Sequence, residues 1–194
     1  FRQRHLAEPS ERGRCFTHFV DEEGGWLHDY ALFRALKERH AWRCWDEWPG
    51  PLRNREPAAL QRAGEELAER IAFFRFVQWL AFEQWGEVRS KINQMGVLLK
   101  GDLPFVIGHD SADGWVHPEL FVAGWEIGAP PDEFSASGQK WGLPLYDWPR
   151  AIESDFAWWR ARVRRAAGLY DLFRIDHIIG VFRTYAIPTS PDQP

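Results

Sequence analysis

A chain of 194 residues is long enough for one sizeable core, and we expect one domain over 1–194. Its 24 Lys and Arg against 28 Asp and Glu leave a formal charge of −4, which argues against a nucleic-acid or anionic-membrane partner. No run approaches the roughly 18 apolar residues of a membrane span.

The chain begins at Phe1 and closes on Ser190-Pro191-Asp192-Gln193-Pro194, so we expect a piece of a longer protein. Cys15 and Cys44 make no disulfide framework, so the expected compartment is a reducing cytoplasm. His40 lies four residues before Cys44, but that pair alone defines no metal site, and none is expected. Twelve tryptophans stand out. They fill cores, and they also make flat platforms with a polar edge that suit sugar rings. Helical spacing favours the core for most of them.

Residues 1 to 20 show no clear period and read as irregular or as the end of an element that starts before Phe1. Trp26, Tyr30, Phe33 and Lys37 step at four, three and four, behind the acidic Asp21-Glu22-Glu23, which predicts a helix. From Ala41 to Pro57 a loop is expected, with Pro49-Gly50-Pro51 forbidding regular structure. Pro57 suits a helix start. Leu60, Leu67, Phe74, Ala81 and Val88 then recur every seven residues, predicting one long amphipathic helix to Gly96, or two joined near Gly64 or Gly86. Val97 to Lys100 and Phe105 to Ile107 read as strands, which places Asp102 at a strand end. Gly108 to Pro149 reads as a long loop. A helix from Glu153 or Ser154 to Gly168 follows, with Arg160, Arg162, Arg164 and Arg165 as its solvated side, and Thr184 to Ile187 is a weak last strand.

Leu172 to Ile175 suits a strand buried on both faces, with Asp176 and His177 where it ends. Arg174 and Asp176 are two apart and share a face of that strand. An arginine there keeps the carboxylate ionised, as a nucleophile for sugar chemistry requires. The same residues would serve as a salt bridge closing a strand, with Asp176 capping the next turn. The residues by themselves leave both readings open.

Four segments share one explanation: Gly101-Asp102-Leu103-Pro104, His109-Asp110-Ser111-Ala112-Asp113-Gly114-Trp115, Gly138-Gln139-Lys140-Trp141-Gly142-Leu143-Pro144 and Arg174-Ile175-Asp176-His177. In this order they resemble the amylomaltases, the 4-α-glucanotransferase or disproportionating-enzyme family, glycoside hydrolase family 77. The similarity runs from about Phe16 to Pro188 and includes Asp29-Tyr30-Ala31-Leu32-Phe33 and Phe76-Val77-Gln78-Trp79.

The resemblance implies an α/β fold, the central portion of a (β/α)8 TIM barrel with long loops and helical insertions. It implies transfer of an α-1,4-glucan segment to the 4-hydroxyl of an acceptor, with retention, and no cofactor or metal. Maltooligosaccharides and α-1,4-glucans are the implied partners. By motif match Asp176 would be the nucleophile and Arg174 its orienting cation, with His177 close by. Asp102 would bind hydroxyls of the donor sugar, and Trp141 and Phe134 would line the cleft and shield it from water. Asp110 and Asp113 read as loop stabilisers. Glu133 stands where the family commonly has an aromatic, Leu143 replaces a frequent asparagine, and the loop from Phe121 to Gly128 reads as short. The family's acid/base glutamate and its second aspartate have no match, so this segment alone is expected to be inactive. A non-catalytic glucan-binding or scaffold protein, and an α-glucan hydrolase of the same clan, are the alternatives.

Overall fold

The computed structural model describes residues 10–190. The residues 1–9 expected to be irregular, and the closing Pro191 to Pro194, lie outside them. The chain divides into two compact units, Phe1–Glu87 and Val88–Pro194.

In the first unit, helix α1 (Glu11–Glu22) occupies part of the stretch expected to be irregular. Its start is marked by Ser10, whose hydroxyl accepts from the Gly13 N–H at 3.0 Å. Its packing is tertiary: Phe16 meets Trp79 at 5.5 Å and Phe19 meets Phe82 at 5.4 Å. A pair of aromatics three apart gives too short a stripe to register as a period.

Helix α2 (Gly24–Arg39) matches the predicted helix, with Lys37 and Arg39 in its last turn. The next stretch is not a plain loop. A 3-10 turn spans Trp45–Glu47 and a short helix, α3, spans Gly50–Arg53. Pro51 sits in the first turn of α3, where a missing N–H forfeits no bond, so the Pro-Gly-Pro run opens a helix instead of preventing one. The long heptad pattern is two helices, α4 (Pro57–Glu66) and α5 (Ala68–Gln94), interrupted at Leu67 and so near Gly64. Ala31 and Ala35 of α2 pack on Ile71 and Phe74 of α5. Arg70 grips Glu38 with two nitrogens, at 2.8 and 2.7 Å. No helix among the described residues is long and apolar enough to cross a membrane.

The second unit carries two sheets. Strand β1 (Lys100–Leu103) starts three residues later than expected, and Val97 and Leu98 are exposed. Pairing fixes it: β1 runs parallel to β4 (Leu172–Ile175), with Lys100 opposite Leu172 and Asp102 opposite Arg174. Asp102 therefore lies inside a strand, one residue from its end. Phe105 to Ile107 is not a strand, because Pro104 has no N–H to continue a ladder and the Phe105 ring turns into the core at 2% exposure.

The region read as loop contains helix α6 (Ala112–Val116) and a hairpin of β2 (Phe121–Ala129) and β3 (Gln139–Tyr146). The supposed short loop from Phe121 to Gly128 is β2 itself. After α7 (Trp148–Glu153), helix α8 spans Ala157–Leu169; it starts later than expected because Asp155 and Phe156 take left-handed backbone conformations. Strand β5 (Tyr185–Pro188), the weak last candidate, pairs antiparallel with β2.

The core of this unit is Phe105, Ile127 and Tyr146, ringed by Trp141, Trp148, Trp158 and Trp159. Most of the tryptophans placed here are packing, as the spacing favoured. Strand β4 was expected to be buried on both faces and is not. Among the described residues it has one neighbour, β1, and Leu172 and Arg174 are exposed.

Candidate active site at the end of the parallel strands

In the register of β1 and β4, Asp102 stands directly across from Arg174. The guanidinium meets that carboxylate as a fork, Nε to Oδ1 at 3.1 Å and Nη2 to Oδ2 at 2.5 Å. The same Nη2 lies 3.4 Å from Oδ1 of Asp176. Two carboxylates thus share one arginine, and all three side chains are more than half exposed. The Asp176 N–H donates to the Leu103 carbonyl at 3.1 Å, which carries the ladder one residue beyond β4 and fixes where the second carboxylate starts.

Arg174 lowers the Asp102 carboxyl below its ordinary range, chiefly through the hydrogen bond it donates; desolvation opposes this, and the charges of Arg174 and then Lys100 add to the lowering. The arginine is held more strongly protonated in return, by the bond to Asp102, then by its charge, then by that of Asp176. Asp102 is therefore the main partner of Arg174, where sequence had paired the arginine with Asp176.

Chain direction turns at His177, in a left-handed conformation with φ 48° and ψ 43°. Its ring is met edge-on by Trp141 at 5.0 Å and at a tilt by Phe105 at 5.7 Å. Gly180 closes the turn: a Cβ there would lie 2.5 Å from the Phe105 ring and 3.0 Å from the His177 ring. Trp141 reaches His177 because β3 bulges. Lys140 pairs with Gly128 and Leu143 with Ile127, so Trp141 and Gly142 are extra residues, with Gly142 at φ +67°. The Trp141 indole N–H donates to the Gln139 side chain at 3.1 Å.

Phe134 stands apart at the tip of the hairpin, 88% exposed, in a turn whose N–H groups at Phe134 and Ser135 donate to Asp132. Among the described residues no hydrogen bond or ring contact joins it to the carboxylates. Asp113, read as a loop stabiliser, accepts from the Trp158 indole at 2.9 Å.

Two side chains escaped the sequence reading. Arg162, assigned to a solvated face, lies over Trp158 and Trp159 and donates to the carbonyls of Pro104 and Phe105. Tyr146 donates to the same Phe105 carbonyl at 2.8 Å, and burial pushes its phenol far up. The signal was the spacing, since Trp158 and Trp159 precede Arg162 by one helical turn. Arg165 is half-buried, and that burial lowers its guanidinium below its ordinary range.

The fold is that of a mixed α/β protein, with acidic side chains at the carboxyl ends of its parallel strands beside aromatic rings. The chain belongs to glycosyl hydrolase family 77, described as 4-alpha-glucanotransferase, which matches residues 1–193. It is 44% identical to a Thermus thermophilus 4-alpha-glucanotransferase over 190 residues, 95% of this chain and 38% of that protein. A Synechocystis 4-alpha-glucanotransferase is 41% identical over 180 residues, 89% of this chain and 36% of the relative. Among solved structures, the amylomaltase from Streptococcus agalactiae in complex with acarbose aligns with a TM-score of 0.87 at 35% identity, covering 92% of this chain and 38% of that one. The amylomaltase from Corynebacterium glutamicum aligns at 0.76 and 25% identity, over 93% and 24%. The chain thus spans less than two fifths of the length of these relatives.

Proposed function

We propose that this chain carries the nucleophile side of a 4-α-glucanotransferase active site, set in the central part of a (β/α)8 barrel that includes residues 1–194. The observation that carries the reading is the arginine shared by Asp102 and Asp176. The pairing of β1 with β4 across a helical crossover supports the barrel, with the hairpin of β2 and β3 as an insertion in one βα unit.

In this reading an α-1,4-glucan lies over the carboxylates. Asp176 attacks the anomeric carbon, the glycosidic bond to the leaving sugar breaks, and a glycosyl ester forms on Oδ. A retaining cycle needs a second carboxyl group about 5–5.5 Å away that first donates a proton to the leaving oxygen and then removes one from the acceptor. Asp102 does not fit that role. Both its oxygens are taken by Arg174, and its lowered pKa keeps it without a proton to give. It suits hydroxyl binding in the donor sugar instead. The proton donor is assigned to sequence that the longer relatives carry and this chain does not span, so the 194-residue segment alone is inactive.

The acceptor 4-hydroxyl then attacks the ester, its proton passes to that same group, and Asp176 is released. Transfer outruns hydrolysis only if water is kept from the ester. Trp141 against His177 forms one wall for this, and the exposed Phe134 suits a contact made when glucan arrives. Acarbose bound to the Streptococcus agalactiae relative supports a glucan-shaped ligand here. No cofactor is required, and Cys15 and Cys44, which form no disulfide with each other, suit a reducing cytoplasm.

The test is incubation of the complete gene product with maltotriose. Glucose plus a ladder of longer maltooligosaccharides is expected, and Asp176→Asn should abolish it. Glucose and maltose without longer products would show a hydrolase. Glucan retention without turnover would show a binding protein.

A further inference from the structure

Arg162 lies on α8 one turn after two tryptophans, with its guanidinium carbon 4.7 Å from the Trp158 ring centroid and 5.0 Å from that of Trp159. From there Nη2 donates to the Pro104 carbonyl at 2.7 Å and Nη1 to the Phe105 carbonyl at 3.3 Å. These are the first two carbonyls after β1, where Pro104 has ended the ladder. The Tyr146 hydroxyl donates to the second of them at 2.8 Å and lies 3.5 Å from Nη1. One residue back from Pro104 is Leu103, which receives the Asp176 N–H. The ring of Phe105 packs on His177 and fills the space that a side chain at Gly180 would need.

We propose that Arg162 is a positioning residue for the carboxylate pair, its guanidinium fixing the exit of β1 and, through Leu103 and Phe105, the turn that presents Asp176 to the arginine it shares with Asp102. The inference rests on the glucanotransferase reading of that pair. A guanidinium is the group for this place. Its planar fork reaches two successive carbonyls and is weakly enough hydrated to lie against indole rings. A lysine ammonium in its place would reach one carbonyl and lose the fork that ties the two together. Because a misplacement of about 1 Å at reacting groups costs on the order of a hundredfold in rate, a contact that touches no substrate acts on kcat.

The experiment measures kcat and KM for maltotriose disproportionation by the complete gene product and by Arg162→Lys and Arg162→Ala, at a temperature where melting curves show each to be folded. For Arg162→Lys, kcat should fall by about 10- to 100-fold while KM stays within about threefold. For Arg162→Ala the fall should be larger, and low-millimolar guanidinium chloride should restore part of it without raising the rate of the parent. If the alanine variant does not fold, the lysine variant decides. A lysine variant with the parent's kcat, or one that loses only KM, overturns the inference. An alanine loss that guanidinium does not relieve also overturns it. A parent that makes no ladder overturns the functional reading and this inference with it, whereas a ladder from the parent and an unaffected lysine variant sinks the inference alone.

Discussion

Arg174 holds Asp102 across the β1–β4 pair with two nitrogens, at 3.1 and 2.5 Å, and this fork keeps the aspartate ionised and aimed. Such an exposed pair adds little to stability. Its consequence is chemical. In Arg174→Met both carboxylates lose their shared cation, and the Asp102 pKa should rise toward the ordinary aspartate range. The sign follows from the direction of the shift: the lowered pKa extends the ionised range downward, so removing its cause moves protonation to higher pH. Carbon NMR titration of the Asp102 carboxyl should show an upward displacement. Disproportionation by the complete gene product should fall by about a hundredfold or more.

Asp171 makes a different use of charge. Its carboxylate accepts from the Asn93 side chain at 2.7 Å and the Leu99 N–H at 2.8 Å, and pairs with Arg89, tying the end of α5 to the starts of β1 and β4. Those bonds, the Asn93 one first, lower its pKa to about 2. A folded-state pKa below the unfolded value of about 3.9 means stabilisation that is present above pH 4 and is lost as pH falls toward 2. Urea unfolding followed across that range should show stability declining, with a shallower decline in Asp171→Asn. An identical slope in the variant would remove Asp171 from the account.

The difference between Asp171 and Asp176 shows what the sequence made legible. The Arg-Ile-Asp-His segment announced its strand and its charge pair because alternation on a strand needs no partner to be read. The heptad rows likewise gave α4 and α5. What stayed hidden was set by pairing. β1 starts at Lys100 because β4 lies beside it, although Val97 and Leu98 look more strand-like. The hairpin of β2 and β3 was masked by its own devices, since glycines at Gly124, Gly138 and Gly142 and prolines at Pro130, Pro131 and Pro144 read as breakers. Arg162 failed to appear because a charged helix face is ordinarily solvated, and only the tertiary arrangement supplies the two carbonyls.

Within that hairpin, Glu126 is buried at 7% exposure, with the Lys140 ammonium 2.7 Å from Oε1 at an angle unsuited to a hydrogen bond. The contact is chiefly Coulombic, and the lysine is half exposed, so solvent screens part of it. Lys140→Met leaves a buried carboxylate without its cation and should cost about 1–3 kcal/mol. Adding Glu126→Val removes the stranded charge, and an apolar pair there should recover most of that loss. The measurement is a double-mutant cycle by denaturant unfolding. Additive losses would show that the two side chains do not interact.

Gly142 and Gly180 should fail for opposite reasons when changed to alanine. At Gly142 nothing lies within 4 Å of a new Cβ, but φ is +67°, so the cost is backbone strain of about 1–2 kcal/mol. Relief of that strain flattens the bulge and turns Trp141 away from His177. The expected signature of Gly142→Ala is a modest drop in melting temperature with a raised KM for maltotriose. At Gly180 no positive φ is involved. The new Cβ would instead meet the Phe105 ring at 2.5 Å, and that ring is locked among Tyr146, Trp148 and Trp159. Gly180→Ala should therefore cost about 1–3 kcal/mol by overpacking and displace His177, lowering kcat. Replacing Phe105 by leucine in the same chain makes room for the methyl group and should return part of the lost stability. Failure of that second change to help would mean that the turn at His177 is not set by the Phe105 ring.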